Sequence, residues 1–223
     1  MGATNAGLQR ARARPMGLSQ KAYAVVSDLR LHHTAFAGSN KIEPGECGVY
    51  LGADLLVAAD PVNLELTNRQ ATLGIISTTK TPTGMMIADP AAAFPDVGAL
   101  RDAIADRVLP ESLFLDARAL TERFFGNDQL ANTFLLGVAT QLGAWPIDPT
   151  HLEEALAQNG VAVAANIQAF RWGRAYAADP TSPALVAHEA ASDPPRGGAR
   201  HTDWWRAAGP HGRRTRGAGG AAD

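Results

Sequence analysis

Two short, unbroken apolar runs constrain the fold of this chain more than any other feature of its sequence. Residues 54–60 (Asp-Leu-Leu-Val-Ala-Ala-Asp) and residues 71–77 (Ala-Thr-Leu-Gly-Ile-Ile-Ser) are each followed by a proline or by polar residues. Runs of this length and composition are typical of strands buried on both faces, and such strands occur in parallel sheets. Between them, residues 61–70 begin with a proline and are expected to form a helix with that proline in its first turn.

The rest of the sequence continues this alternation of strands and helices. Further strands are expected over residues 22–31 and 112–117, and helices over residues 99–107, 118–125, 130–142, 148–156 and 161–178. The helix over 130–142 is apolar on nearly all sides and should be buried. The alternation predicts an α/β fold, a three-layer α/β/α domain with a mainly parallel sheet.

Carboxylates stand at several of the predicted helix starts. Asp60 precedes a proline and either caps the following helix or, at the carboxyl end of a strand, faces a ligand; capping is the simpler interpretation. The helix over 148–156 has two alternative starts. One uses Asp148 with Pro149, and the other uses Thr150 with Glu153 as a capping box.

Composition divides the chain into three parts. Residues 1–15 are small, polar and basic and are interpreted as a flexible arm, and residues 16–179 form the folded domain. Residues 180–223 contain seven glycines, five prolines and six arginines, so we predict a disordered tail. Trp204 and Trp205 are the exception in this tail, because their side chains are suited to docking.

The overall composition excludes several classes of function. A net charge of −2 and a pI of about 6.3 do not favour a nucleic-acid or anionic membrane partner. No apolar run reaches the length of about 18 residues that a membrane span needs. The single cysteine, Cys47, excludes an internal disulfide and an all-cysteine iron–sulfur site. A cytoplasmic protein is the resulting expectation.

A polar loop before the first predicted strand is the main candidate for a functional site. Gly17, Ser19, Gln20 and Lys21 offer hydrogen bonds and a mobile positive charge, and Ser27 lies on the strand that follows. The loop could contact a substrate, a cofactor phosphate or a partner subunit, and its alternative role is an ordinary turn. Neither glycine-rich phosphate fingerprint occurs in the sequence.

Metal ligands are poorly placed in the sequence. His32 and His33 are adjacent, and neighbouring side chains on a strand point to opposite faces, so they do not combine with Cys47 into a good zinc site. No metal site is therefore predicted.

Two asparagines lie on predicted apolar helices, Asn132 and Asn166. A buried amide needs hydrogen-bond partners. These residues are therefore expected either to bridge structural elements or to contact a partner across an interface.

Three segments, in order, carry a resemblance to a known family. They are residues 16–31, with Gly17 to Lys21 before an apolar run; residues 132–137 (Asn-Thr-Phe-Leu-Leu-Gly); and residues 166–174 (Asn-Ile-Gln-Ala-Phe-Arg-Trp-Gly-Arg). Together they resemble the gamma domain of the 2-oxoacid:ferredoxin oxidoreductases, most closely the indolepyruvate type.

This resemblance implies a part in the oxidative decarboxylation of 2-oxoacids, which uses thiamine diphosphate, iron–sulfur clusters and CoA and passes electrons to ferredoxin. In that family the gamma domain is an α/β unit packed on thiamine-binding and ferredoxin-type subunits or domains, which hold the cofactors. The resemblance therefore implies a chain that binds none of these cofactors alone and that belongs to an enzyme only as part of a complex.

The family pattern differs from this sequence at the N-terminus. A strand, a glycine-rich loop and a first helix precede the polar loop in the family, whereas residues 1–15 stand in their place here. The expected domain is thus a partial one, truncated at its N-terminus. Two alternatives follow: a binding or interaction module without redox partners, and a non-functional remnant of the domain.

Overall fold

The computed structural model describes residues 9–12, 25–33, 38–39, 41–89 and 91–182. The loop residues Gly17, Ser19, Gln20 and Lys21 lie outside the described residues, as does most of the tail predicted over 180–223.

A parallel three-stranded sheet forms the centre of the domain. Strands β3 (Val49–Gly52), β4 (Leu73–Ser77) and β5 (Leu113–Leu115) lie side by side with β4 in the middle. The register aligns Leu51 with Ile75 and Ile75 with Leu113. This sheet confirms the prediction of parallel strands separated by helices.

Eight α-helices are found among the described residues. They are α1 (Leu55–Ala58), α2 (Pro61–Leu64), α3 (Gly84–Ala88), α4 (Val97–Ala105), α5 (Ala117–Phe125), α6 (Ala131–Gln141), α7 (Pro149–Asn159) and α8 (Val163–Ala178). A short 3₁₀ turn, Asp128–Leu130, precedes α6. Of these helices, only α1 and α3 fall where the sequence predicted none.

Helices cover both faces of the sheet, and neighbouring residues of β4 show this directly. Ile75 packs in a cluster with Leu115, Phe134 and Trp172, which brings α6 and α8 to one face. Ile76 packs with a second cluster on the opposite face, formed by Leu55, Ala58, Leu64, Ile104 and Val108. Because successive strand residues point to opposite faces, the predicted three-layer α/β/α architecture is confirmed.

Aspartates begin five of these helices, and glycines end two. The side chains of Asp54, Asp60, Asp96, Asp116 and Asp148 each accept hydrogen bonds from backbone N–H groups of the helix that they precede. Gly126 and Gly160 adopt positive φ angles of 62° and 73° at the ends of α5 and α7, as glycine C-caps do. Asp148, with Pro149, is therefore the start of α7.

The strand predicted over residues 54–60 is wrong, because this run forms α1. The carboxylate of Asp54 accepts hydrogen bonds from the N–H groups of Leu56 and Val57 at 2.9 and 3.2 Å, which fixes the first turn of a helix. The actual strand is β3, immediately before it. A Cβ atom at Gly52 would lie 2.8 Å from the Cβ of Ala58, so α1 can pack over the end of β3 only because residue 52 is a glycine.

Within the arm predicted over residues 1–15, the structure describes residues 9–12, which form a strand. Strand β1 (Gln9–Arg12) pairs antiparallel with β2 (Leu29–His32). Its sequence, Gln-Arg-Ala-Arg, has no apolar alternation, and backbone pairing alone does not require one. The strand predicted over 22–31 is shifted as well, since the described residues 25–28 are not in a strand.

Helices α6 and α8 approach each other more closely than side chains allow. A Cβ atom at Gly137 would overlap the carbonyl oxygen of Phe170, and one at Gly173 would overlap the carbonyl oxygen of Phe134. The two backbones are therefore in direct and reciprocal contact. Both glycines lie in segments that carried the family resemblance, residues 132–137 and 166–174.

Candidate functional site

The carboxyl edge of the parallel sheet is the first place to look for a site, because open α/β sheets bind their ligands there. Ser77 ends β4, and its hydroxyl lies 2.9 Å from the hydroxyl of Thr79, which donates to the carboxylate of Asp116 at 2.6 Å. Asp116 also accepts from the N–H of Ala119 at 3.0 Å. This network is a helix cap tied to a strand end, so its groups are already occupied in structure.

The two aspartates after β3 are occupied in the same way. Asp54 caps α1, and Asp60 accepts from the N–H of Val62 at 2.9 Å at the start of α2. The capping interpretation of Asp60 is therefore confirmed. Both carboxylates therefore have a structural role as helix caps.

A broad groove of about 1410 Å³ lies next to these strand ends. We call it the β2–β3 groove. One wall contains residues 25–31, which include most of β2, and the facing wall contains residues 46–54 around β3. Further segments complete the lining: residues 81–84, 128–129, 131–132 and 144–146. Segments that are far apart in sequence thus converge on one open surface.

The structure places two of the predicted site residues in this groove. Ser27 and Asn132 both line it, and both are exposed. Asn132 comes from the first turn of α6 and Ser27 from the segment before β2. Their hydroxyl and amide offer neutral donors and acceptors to a bound partner.

The third described candidate, Asn166, lies elsewhere. Its amide oxygen accepts from the hydroxyl of Thr133 at 2.7 Å, and its amide nitrogen donates to the carbonyls of Val161 and Ala162 at 3.0 and 3.3 Å. Ala162 has a φ angle of 43° and no side-chain cap. Asn166 thus joins α6 to the strained entry of α8.

A charged pair at the rim of the groove was not found by sequence reasoning. Arg118 binds the carboxylate of Asp128 through Nε at 2.8 Å and through Nη2, and Gln129 donates to the same carboxylate at 2.9 Å. These hydrogen bonds hold the pKa of Asp128 below its usual value. The pair therefore places a neutralised charge at the rim.

One comparison with known proteins decides the family. The sequence model of the pyruvate ferredoxin/flavodoxin oxidoreductase family matches residues 2–176. The chain belongs to this family. The match starts at residue 2 and therefore begins before residues 16–31, the first of the three segments that carried the resemblance. The comparison with curated proteins found no match.

Enzymes of the pyruvate ferredoxin/flavodoxin oxidoreductase family use thiamine diphosphate, iron–sulfur clusters and CoA within a complex. The donors in this family member do not suit a cluster. Its one cysteine is buried, and the part of the chain that the structure describes has no group of three or more histidine, cysteine, aspartate or glutamate side chains that could hold a metal. An iron–sulfur cluster needs several thiolates.

The titratable groups on the β3 side are also unsuited to nucleophilic chemistry. Burial raises the pKa of Cys47 to about 11, and its thiol donates to the carbonyl of Val49 at 3.0 Å. Burial likewise raises the pKa of Tyr50 to about 12, and its hydroxyl donates to the carbonyl of Ala58 at 2.9 Å. Both groups are protonated at neutral pH, whereas an attacking cysteine must be a thiolate.

Among the helices of the described residues, none is both long enough and apolar enough to cross a membrane.

Proposed function

We propose that this chain is a subunit or fragment of an indolepyruvate-type 2-oxoacid:ferredoxin oxidoreductase. It supports an oxidative decarboxylation whose cofactors are held by thiamine-binding and ferredoxin-type partner domains. The observation that carries this proposal is the family match over residues 2–176, and the resemblance of three segments favours the indolepyruvate type. Asp54, Asp60 and Asp116 all cap helices, and the thiol of Cys47 is buried. These groups have structural roles, and we infer that this chain contributes a binding surface to the complex.

The β2–β3 groove is the surface that we assign to this role. Ser27 and Asn132 supply neutral hydrogen-bonding groups there, and the rim pair of Arg118 and Asp128 adds little net charge. In the proposed complex the loop with Gly17, Ser19, Gln20 and Lys21 faces the partner as well, and the complex acts in the cytoplasm.

Within that complex, thiamine diphosphate held by a partner supplies carbanion stabilisation for the decarboxylation. The contribution of this chain is positional. Its exposed polar groups orient the partner surface next to the reacting 2-oxoacid, and the exposed side chains of Val25, Val26 and Leu29 exclude water from that junction.

A reconstituted enzyme tests the proposal. The chain is combined with the thiamine-binding and ferredoxin-type subunits of its host, and reduction of ferredoxin is followed with indolepyruvate, pyruvate and CoA. We expect activity to depend on the chain and to favour indolepyruvate. An enzyme that is equally active without the chain would contradict the proposed role.

Paired variants link this activity to the groove. Replacing both Ser27 and Asn132 by alanine should lower activity or subunit affinity by about tenfold, since each lost hydrogen bond costs about 0.5–1.5 kcal/mol. The matched control replaces Gln158, on the exposed face of α7, and should leave activity unchanged. Equal effects from both variants would mean that the groove is not the contact surface.

The second candidate function is a binding module that has no redox partners. The structural roles of Asp54, Asp60 and Asp116 as helix caps are as compatible with this module as with the first candidate. A purified full-length chain that is folded, monomeric and unable to bind the thiamine-binding subunit would support the module. A chain that fails to fold under all conditions would instead support a non-functional remnant.

A further inference from the structure

Helix α3 exposes a methionine to an unusual degree. Among the helices of the described residues, α3 is the one that has no buried residue. Met85 is 84% exposed on this helix, whereas its neighbour Met86 is partly buried. The thioether of Met85 is therefore open to small solutes, and that of Met86 is partly shielded from them.

The fold of α3 does not depend on the side chain of Met85. The N–H of Ile87 donates to the carbonyl of Thr83 at 3.0 Å, and the N–H of Met86 donates to the hydroxyl of Thr83 at 3.3 Å. The N–H of Asp89 donates to the carbonyl of Met85 at 3.0 Å. None of these hydrogen bonds uses a sulfur atom, so a chemical change at the Met85 sulfur leaves them intact.

The cysteine of the chain does not compete for the same chemistry. The Cys47 thiol is buried, and burial raises its pKa to about 11. Cysteine oxidation proceeds through the thiolate, which is scarce here at neutral pH. A thioether has no proton to lose, and its oxidation follows its exposure. Of the sulfur groups that the structure describes, that of Met85 is thus the best placed to react.

We propose that Met85 is a site of reversible oxidation by hydrogen peroxide. The sulfur attacks one oxygen of the peroxide, the O–O bond breaks and an S–O bond forms, and the other oxygen leaves as water with the transferred proton. The thioether is oxidised by two electrons to the sulfoxide, and the peroxide is reduced to water. Exposure also makes the sulfoxide accessible to methionine sulfoxide reductases, which restore the thioether.

The modification changes the surface beside the β2–β3 groove. Gly84, the first residue of α3, lines this groove, and Met85 follows it directly. Oxidation converts the apolar side chain of Met85 into a polar one. The proposal concerns this surface and does not depend on the reaction assigned to the family.

The test treats the full-length chain with hydrogen peroxide at neutral pH and follows each methionine by tandem mass spectrometry of its peptides. We expect Met85 to react several-fold faster than Met86 and about as fast as methionine in a short peptide. In concentrated urea the two residues should react at equal rates, because their difference comes from the fold. Methionine sulfoxide reductases should then restore Met85 in the folded, oxidised chain.

Two variants assign the reaction to one sulfur atom. Met85→Leu should remove the fast oxidation from the peptide that contains residues 85 and 86, and the matched variant Met86→Leu should retain it. Oxidation of the unchanged chain should shift its melting temperature by less than about 2 °C, since changes at exposed side chains hardly affect stability.

Three results would overturn the proposal. One is a folded chain in which Met86 is oxidised as fast as Met85. Another is a clear drop in melting temperature on oxidation of Met85, which would mean that its side chain packs against the fold. The third is a sulfoxide at Met85 that the reductases leave in place on the folded chain.

Discussion

Two regions of this domain differ in how far their side chains are buried: the contact between helices α6 and α8, and the β2–β3 groove. At the helix contact, Gly137 and Gly173 bring the two backbones together, and Phe134 and Phe170 are completely buried. At the groove, Leu51 is 40% exposed, and no strand among the described residues pairs with β3 on the side away from β4. The first region is complete in itself and gives stability. The second is incomplete in itself, and we therefore assign binding to it.

The strongest way to break this comparison is to add volume where the helices meet. The double variant Gly137→Ala and Gly173→Ala should lower the free energy of unfolding by more than about 4 kcal/mol, because backbone atoms cannot move aside as side chains can. Urea denaturation measures the loss. Gly48→Ala is the control, since a Cβ there meets nothing within 4 Å and should change stability by less than about 0.5 kcal/mol. Similar losses in both proteins would show that the helix contact is not tight.

Two register partners on neighbouring strands give the next largest contrast. Ile75 is 0% exposed, and Leu51, which lies opposite it on β3, is 40% exposed. Ile75→Ala should cost about 3 kcal/mol through the cavity that it leaves, whereas Leu51→Ala should cost less than about 1 kcal/mol. Thermal unfolding of the two variants tests this. A comparable cost at both positions would mean that Leu51 is covered in the isolated chain.

Alkaline pH should lower the free energy of unfolding, because the thiol of Cys47 is buried beside β3. Burial raises the pKa of Cys47 from 9.0 to about 11 in the folded chain. Stability is therefore fully present below pH 9, and it is lost as the pH rises toward 11 because only the unfolded chain ionises in that range. The loss amounts to roughly 2–3 kcal/mol at most. Denaturant titrations at several pH values from 8 to 11 give the free energy of unfolding at each pH. This free energy should fall less steeply with pH for Cys47→Ala than for the unchanged chain, and an equal fall would contradict the raised pKa of Cys47.

The smallest contrast compares two asparagines. Asn166→Ala removes three hydrogen bonds at the entry to α8 and should cost about 1–2 kcal/mol, part of it from the unpaired hydroxyl of Thr133. Asn132→Ala, on the exposed side of α6, should stay within about 0.5 kcal/mol. Melting temperatures suffice for the measurement. A larger loss of stability for Asn132→Ala than for Asn166→Ala would contradict the structural role that we give to Asn166.

Local signals predicted much of the fold. The helices α5 and α7 were predicted with the help of Asp148 and of the glycines at 126 and 160, which mark helix ends, and α6 was predicted from its apolar sequence. Strand β4 was predicted from its unbroken apolar run. The sequence signals for these elements lie within about ten residues of each element.

Other elements depend on tertiary contacts and were missed or assigned wrongly. Strand β3 has only four residues and ends in a glycine whose role is to admit α1. The apolar run over residues 54–60 is compatible with a buried strand and with a buried helix. The hydrogen bond from the N–H of Leu56 to the carboxylate of Asp54 stabilises the helix. The groove was not predictable either, because its walls come from segments that only the fold brings together. Ser27 and Asn132 were predicted individually, whereas their shared surface was not.

The close packing of α6 and α8 at Gly137 and Gly173 bears on how membership of this family is recognised from sequence. Two of the three segments that resembled the family surround these glycines. The resemblance therefore rests in part on a contact between two helices that the fold of this chain requires. Folding does not require catalytic activity in the same way. A lineage can lose its catalytic partners and still carry this signature unchanged, so the signature identifies descent more securely than it identifies present activity.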